Sequence, residues 1–147
     1  MISRFLLVAA AWVVVGATSC KKEQTKVTLK EKLTAKAWKS TSFSANGAPA
    51  TSWCWLNSVY EFTQAGTAYY TQGDNLGACS GNPTGTISSY PYVVTANEKY
   101  IILVTSFPTS ADTFEVISIS SELLKTKRIV NKNTPSPDTW EDTFTAQ

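Results

Sequence analysis

The chain has 147 residues, with 13 Lys and Arg against 11 Asp and Glu, and it contains no histidine. So even a balance argues against nucleic acid as a partner, because phosphate binding needs a net basic surface. The missing histidine removes the commonest general base and metal ligand, and the sequence shows no glycine-rich dinucleotide motif, phosphate loop or EF-hand spacing. A non-enzymatic protein with no catalytic residue, metal or cofactor is expected.

In chain order, Arg4 precedes an uninterrupted apolar run from Phe5 to Gly16. The run is short for a bilayer span, which takes about 20 residues. It fits the hydrophobic region of a secretory signal, about 7–15 residues behind a basic start, better than a buried element of the folded domain. The small residues Ala17, Thr18 and Ser19 before Cys20 resemble the lipobox of bacterial lipoproteins. That resemblance implies removal of residues 1–19 and lipidation of Cys20 through a thioether and an acylated amine, palmitate being an expected acyl chain. The mature protein would be held at a membrane of the bacterial cell envelope, the outer membrane by expectation. Several acyl chains hold firmly where one is marginal. The competing reading is ordinary secretion with a free Cys20 thiol.

Residues 20–27 read as a tether and residues 28–147 as one domain, expected to be monomeric. Lys21, Lys22, Lys26, Lys30, Lys32, Lys36 and Lys39 crowd this stretch, whereas no Lys or Arg occurs between Ser40 and Glu98. The lysines suit either a solvated spacer or anionic headgroups, at about 1 kcal/mol per cation. With Cys20 lipidated, Cys54 and Cys79 remain as an even pair in an oxidising compartment, where a disulfide is expected; two unpaired buried thiols are the alternative.

Thr28-Leu29-Lys30-Glu31 has capping-box spacing, and Leu29 and Leu33 share a helical face, predicting a short helix over Leu29–Lys36. Runs rich in Val, Ile, Thr, Tyr and Phe then recur between turn residues. They predict strands at Ala37–Ala45, Ser58–Gln64, Thr67–Gln72, Gly85–Thr95, Lys99–Phe107, Thr113–Ser120, Leu123–Val130 and Thr139–Ala146. The links are too short for crossover helices, so the sheet is antiparallel. An eight-stranded up-and-down barrel would remove its exposed edges. Alternation slips after Val116, predicting a bulge near Val116–Ser118, and Pro91 belongs at a bulge or an unpaired edge. Asp138, Glu141 and Asp142 read as a turn followed by a solvated strand face.

The stretches L-T-A-K-A-W-K-S (33–40), C-W-L-N-S-V-Y-E-F-T-Q-A-G-T-A-Y-Y (54–70), A-C-S-G-N, G-T-I-S-S-Y-P-Y and K-Y-I-I-L resemble the lipocalin-like domains of small bacterial lipoproteins. The resemblance implies that Trp38 plugs the closed end of the barrel and that Cys54 and Cys79 match a recurrent pair. It also implies that Arg128 packs over Trp38, the bland alternative being a surface arginine beside Lys125 and Lys127.

Eight strands enclose a space just wide enough to be filled by side chains or to hold one small ligand. Trp38, Tyr60, Phe62, Tyr70 and Tyr92 are the candidate lining of an apolar pocket, and equally candidates for plain core. The expected function is binding of a small apolar or amphipathic ligand in or at the mouth of the barrel. The alternative is an envelope interaction module that meets glycan or a partner protein through exposed aromatics such as Trp53 and Trp55.

Overall fold

The computed structural model describes residues 26–50, 56–73, 85–106, 110–130 and 135–147. Cys20, Cys54, Cys79, Trp53 and Trp55, with the expected signal segment 1–19, lie outside them. Thr28 opens helix α1 (Leu29–Thr34) with the expected reciprocal cap. The Glu31 amide donates to Thr28 Oγ1 at 3.2 Å, and the Thr28 amide donates to Glu31 Oε2 at 2.7 Å. The helix stops short of Lys36 because Ala37 already belongs to the sheet. It buries Leu29 and Leu33, which is worth roughly 1.5–3 kcal/mol each.

Strands β1 (Ala37–Ala45), β2 (Ala48–Pro49), β3 (Val59–Phe62), β4 (Thr67–Thr71), β5 (Ile87–Val94), β6 (Tyr100–Ser106), β7 (Ser110–Ile119), β8 (Leu123–Val130) and β9 (Asp138–Ala146) follow. From β3 to β9 each pairs with the next, antiparallel throughout. β1 pairs with β3 on one edge and with β9 on the other, from Trp38↔Ala146 to Ala45↔Trp140. β1 and β3–β9 therefore form a closed eight-stranded antiparallel up-and-down barrel with one short helix.

Two irregularities follow from the sequence. The β7–β8 register shifts between Val116 and Ser118, which brings Ile119 back to the inner face opposite Leu124. Pro91 stands where β5 changes partner: β5 pairs with β4 up to Pro91 and with β6 only from Tyr92. The Tyr92 amide donates to Gly66 O on the β4 side, so by strand alternation Pro91 has its missing donor on the side where the β6 ladder has ended.

A hairpin that the strand pattern passed over is Asn46-Gly47, with φ of 51° and 79°. These left-handed values make a two-residue turn of the type that Asn-Gly favours, and β2 folds back along the end of β1. The dipeptide was the available signal.

The tight turns after β3, β5 and β7 all lie at the end where β1 begins, and α1 with the residues that follow it fastens to each. The Leu29 amide donates to Glu98 Oε1 at 3.1 Å, Gln64 Nε2 donates to Thr34 Oγ1, and Lys36 Nζ meets Glu122 Oε1 at 3.4 Å. This is the closed end.

Candidate functional site

Strand alternation sends Trp38, Phe62, Ala68, Tyr92, Ile101, Leu103, Phe114, Leu124 and Phe144 inward, where with Leu29 and Leu33 they form the core. Trp38 sits at the closed end, 1% exposed. Its indole Nε1–H donates to Leu33 O at 2.9 Å, satisfying one of the carbonyls that a helix end leaves without an intrahelical partner. Phe62 and Tyr92 pack edge to face at 5.0 Å, and the Tyr92 hydroxyl donates to Thr63 O at 2.7 Å. These three candidates are core here, held by partners of their own. The void between Trp38, Tyr60, Phe114, Leu124 and Phe144 measures about 20 Å³, room for one water-sized sphere and not for an apolar ligand.

Towards the end opposite α1 the inner face turns polar. Ser40 from β1, Thr126 and Arg128 from β8, and Asp142 from β9 are all 2–4% exposed. Thr126 stands opposite Asp142 in the β8–β9 ladder, and Phe43 stands opposite Asp142 in the β1–β9 ladder. Asp142 is thus no part of a solvated face. It shares strand parity with Trp140 and Phe144, and that parity was the legible signal for an inward side chain. Among the described residues Ser40 Oγ, Thr126 Oγ1 and Asp142 Oδ2 have no hydrogen-bond partner. A buried polar group left so costs about 1–3 kcal/mol.

Arg128 is likewise buried rather than a surface residue, but it does not reach Trp38. Its guanidinium carbon lies 4.6 Å from the Trp140 ring centroid and 5.2 Å from that of Phe114, and its Nη1 is 3.9 Å from Asp112 Oδ2. The physical reason is register. Trp38 pairs with Ala146, whose amide donates to Glu122 O, whereas Arg128 pairs with Trp140. Six residues along β8 separate the two levels, roughly 20 Å.

The electrostatics match this burial. Asp142 is pushed up to about 6 by burial, against the pull of Arg128. Burial lowers Arg128, while Asp142, Tyr60 and Asp112 hold it up. Tyr60 is pushed above the usual phenol range by burial first and by Tyr70 next. Its ring stacks with Phe62 and tilts against Tyr70 at 5.0 Å.

Tyr70 belongs to a rim clamp. Its hydroxyl donates to Gln72 Oε1 at 2.8 Å and shares a hydrogen bond of 3.0 Å with Ser58 Oγ, which also accepts from the Gly73 amide at 3.0 Å. Ser58 and Gln72 are buried. Of the five candidate pocket residues, then, Tyr60 and Tyr70 border the polar half, while Trp38, Phe62 and Tyr92 fill the apolar half. The sequence reading missed Ser40, Thr126 and Asp142. Among the described residues no group of three or more Cys, Asp or Glu side chains could hold a metal ion, and no helix is long and apolar enough to cross a membrane.

No protein-family model and no curated protein matches the chain. Among solved structures, bovine odorant binding protein in complex with a selenium-containing odorant is similar with a TM-score of 0.47 at 12% identity, over 86% of this chain and 77% of that one. A deswapped triple mutant of the same bovine protein gives 0.45 at 11% identity, covering 79% and 74%. Its complex with its natural ligand gives 0.44 at 11% identity, covering 79% and 72%.

Proposed function

We propose that this chain is a non-enzymatic binding barrel that holds one small amphipathic molecule towards the end opposite α1 while a lipid on Cys20 tethers it to a membrane of the bacterial envelope. The observation that supports binding is the layer of Ser40, Thr126 and Asp142. Three oxygens from three adjacent strands are buried without partners, directly above a packed apolar floor. A molecule with a polar end to meet those oxygens and an apolar body against Phe43 and Trp140 satisfies both. A wholly apolar ligand does not, because the floor has room for only one water-sized sphere. The absence of histidine supports a carrier rather than an enzyme. The tether reading is supported by the apolar run and small residues before Cys20, and by the lysines that continue into α1. The test of binding is native mass spectrometry of protein isolated from its own envelope, with titration of the empty protein by single-chain amphiphiles read through tryptophan fluorescence. A bound small molecule and a saturable signal are expected; neither one appearing refutes the binding function.

The packed floor also favours a second reading, an interaction module whose barrel is only a scaffold. An envelope pull-down that retains a protein or glycan partner with the purified chain, and loses it in a Trp53→Ala, Trp55→Ala variant, would select that reading.

A further inference from the structure

Among the described residues, the charged side chains that strand alternation places on the inner face are Arg128 on β8, Asp142 and, at the strand's first position, Asp138 on β9, and Asp112 on β7; Asp138 accepts from Asn46 Nδ2, and β1, β3, β4, β5 and β6 contribute only neutral ones. The inner face is therefore net negative. Its one cation is committed on several sides, against the rings of Trp140 and Phe114 and beside Asp112. An incoming carboxylate would add a third anion around that single guanidinium, and like charges in a water-poor site repel strongly. An incoming cation would instead offset part of that negative excess.

Of the unpartnered atoms, Asp142 Oδ2 when ionised can only accept and makes the same choice, while the two hydroxyls, able to donate or accept, permit it. Ser40 Oγ, Thr126 Oγ1 and Asp142 Oδ2 are all oxygens able to accept, and a primary ammonium carries three donors and no acceptor. They are close enough to share one such group. Thr126 and Asp142 are direct cross-strand partners, and Ser40 lies diagonal to Asp142 across β1–β9, separations of about 5–8 Å between side-chain origins. Phe43, directly across from Asp142, adds an aromatic neighbour of the kind that attracts cations.

We propose that Ser40, Thr126 and Asp142 form a subsite for a protonated primary amine, so that the ligand of this barrel is an amine-headed amphiphile. This rests on the binding function proposed above and specifies the head group it takes. Burial keeps the Asp142 carboxyl high, at about 6, so the carboxylate that pairs with the amine is present above that pH.

The test compares decylamine, decanol and decanoate by calorimetric titration of the purified protein at about pH 8, where a simple amine is protonated. Decylamine is expected to bind at least about tenfold more tightly than decanoate, the scale of one charge-assisted hydrogen bond. Asp142→Asn should erase most of that preference, whereas Glu141→Gln, an exposed neighbour on the outer face, should retain it. A near-ultraviolet circular dichroism spectrum confirms that each variant is folded. Equal binding of the three probes, tighter binding of decanoate, or an undiminished preference in Asp142→Asn would overturn the amine subsite and leave the binding function standing. Binding of none of the three would remove both.

Discussion

Replacing Asp142 by Asn is expected to stabilise the protein, and to do so only above acidic pH. The carboxyl is raised to about 6 from an ordinary 3.8 by burial, with Arg128 offsetting part of the shift. Between those values the folded protein keeps a proton that the unfolded chain has released, so stability falls as pH rises through that window. A shift of about 2 units at 1.36 kcal/mol each makes the ionised carboxylate a cost of about 3 kcal/mol at neutral pH. The amide cannot ionise and avoids it. In urea unfolding followed by tryptophan fluorescence, with a slope of about 2 kcal/mol per molar, the Asn variant should unfold about 1.5 M later at pH 7. It should unfold close to the parent at about pH 4, where the folded-state side chains are both neutral. Taking the difference between variant and parent cancels the other carboxylates, including Glu31, which its hydrogen bonds from Thr28 hold low. A variant less stable than the parent at neutral pH would refute the reasoning, because it would mean that attraction to Arg128 outweighs burial. A difference that does not shrink on acidification would refute it equally.

Four further outcomes follow from the same structure. Trp38→Phe keeps most of the ring but removes the donor to Leu33 O, and should lower stability by about 1–3 kcal/mol in a chemical melt. Thr28→Ala breaks the capping box and should cost about 1 kcal/mol, read as earlier loss of amide protection in α1 than in the barrel. Gly73→Ala would set a methyl group 2.6 Å from the Ser58 backbone nitrogen. The resulting shift should cost about 1–3 kcal/mol and weaken the Ser58–Tyr70 clamp, visible as a changed tyrosine environment. Cys20→Ser should move the protein from the membrane fraction to the soluble fraction with its melting temperature unchanged, and persistent membrane association would end the lipid-anchor reading.

Features set by neighbours a few residues apart are legible in the amino-acid sequence. The capping box of Thr28 and Glu31, the full extents of β1 and β8, and the bulge between Val116 and Ser118 are read from spacing and alternation. So is the antiparallel order, since links as short as Ala65-Gly66 leave no other pairing. Parity alone also held the inward face of Asp142, although three acidic residues within five positions read more readily as solvated. What the sequence could not settle is which levels of the barrel face one another. That depends on the register between β1 and β9, strands a hundred residues apart, and register between distant strands follows from closing the whole sheet, not from any local pattern. Closure decided that Arg128 meets Trp140 rather than Trp38, that the apolar end is packed full, and that Ser40, Thr126 and Asp142 come together. Each of those residues is unremarkable in its own strand; only the closed barrel shuts them away from water with their hydrogen-bonding capacity unmet.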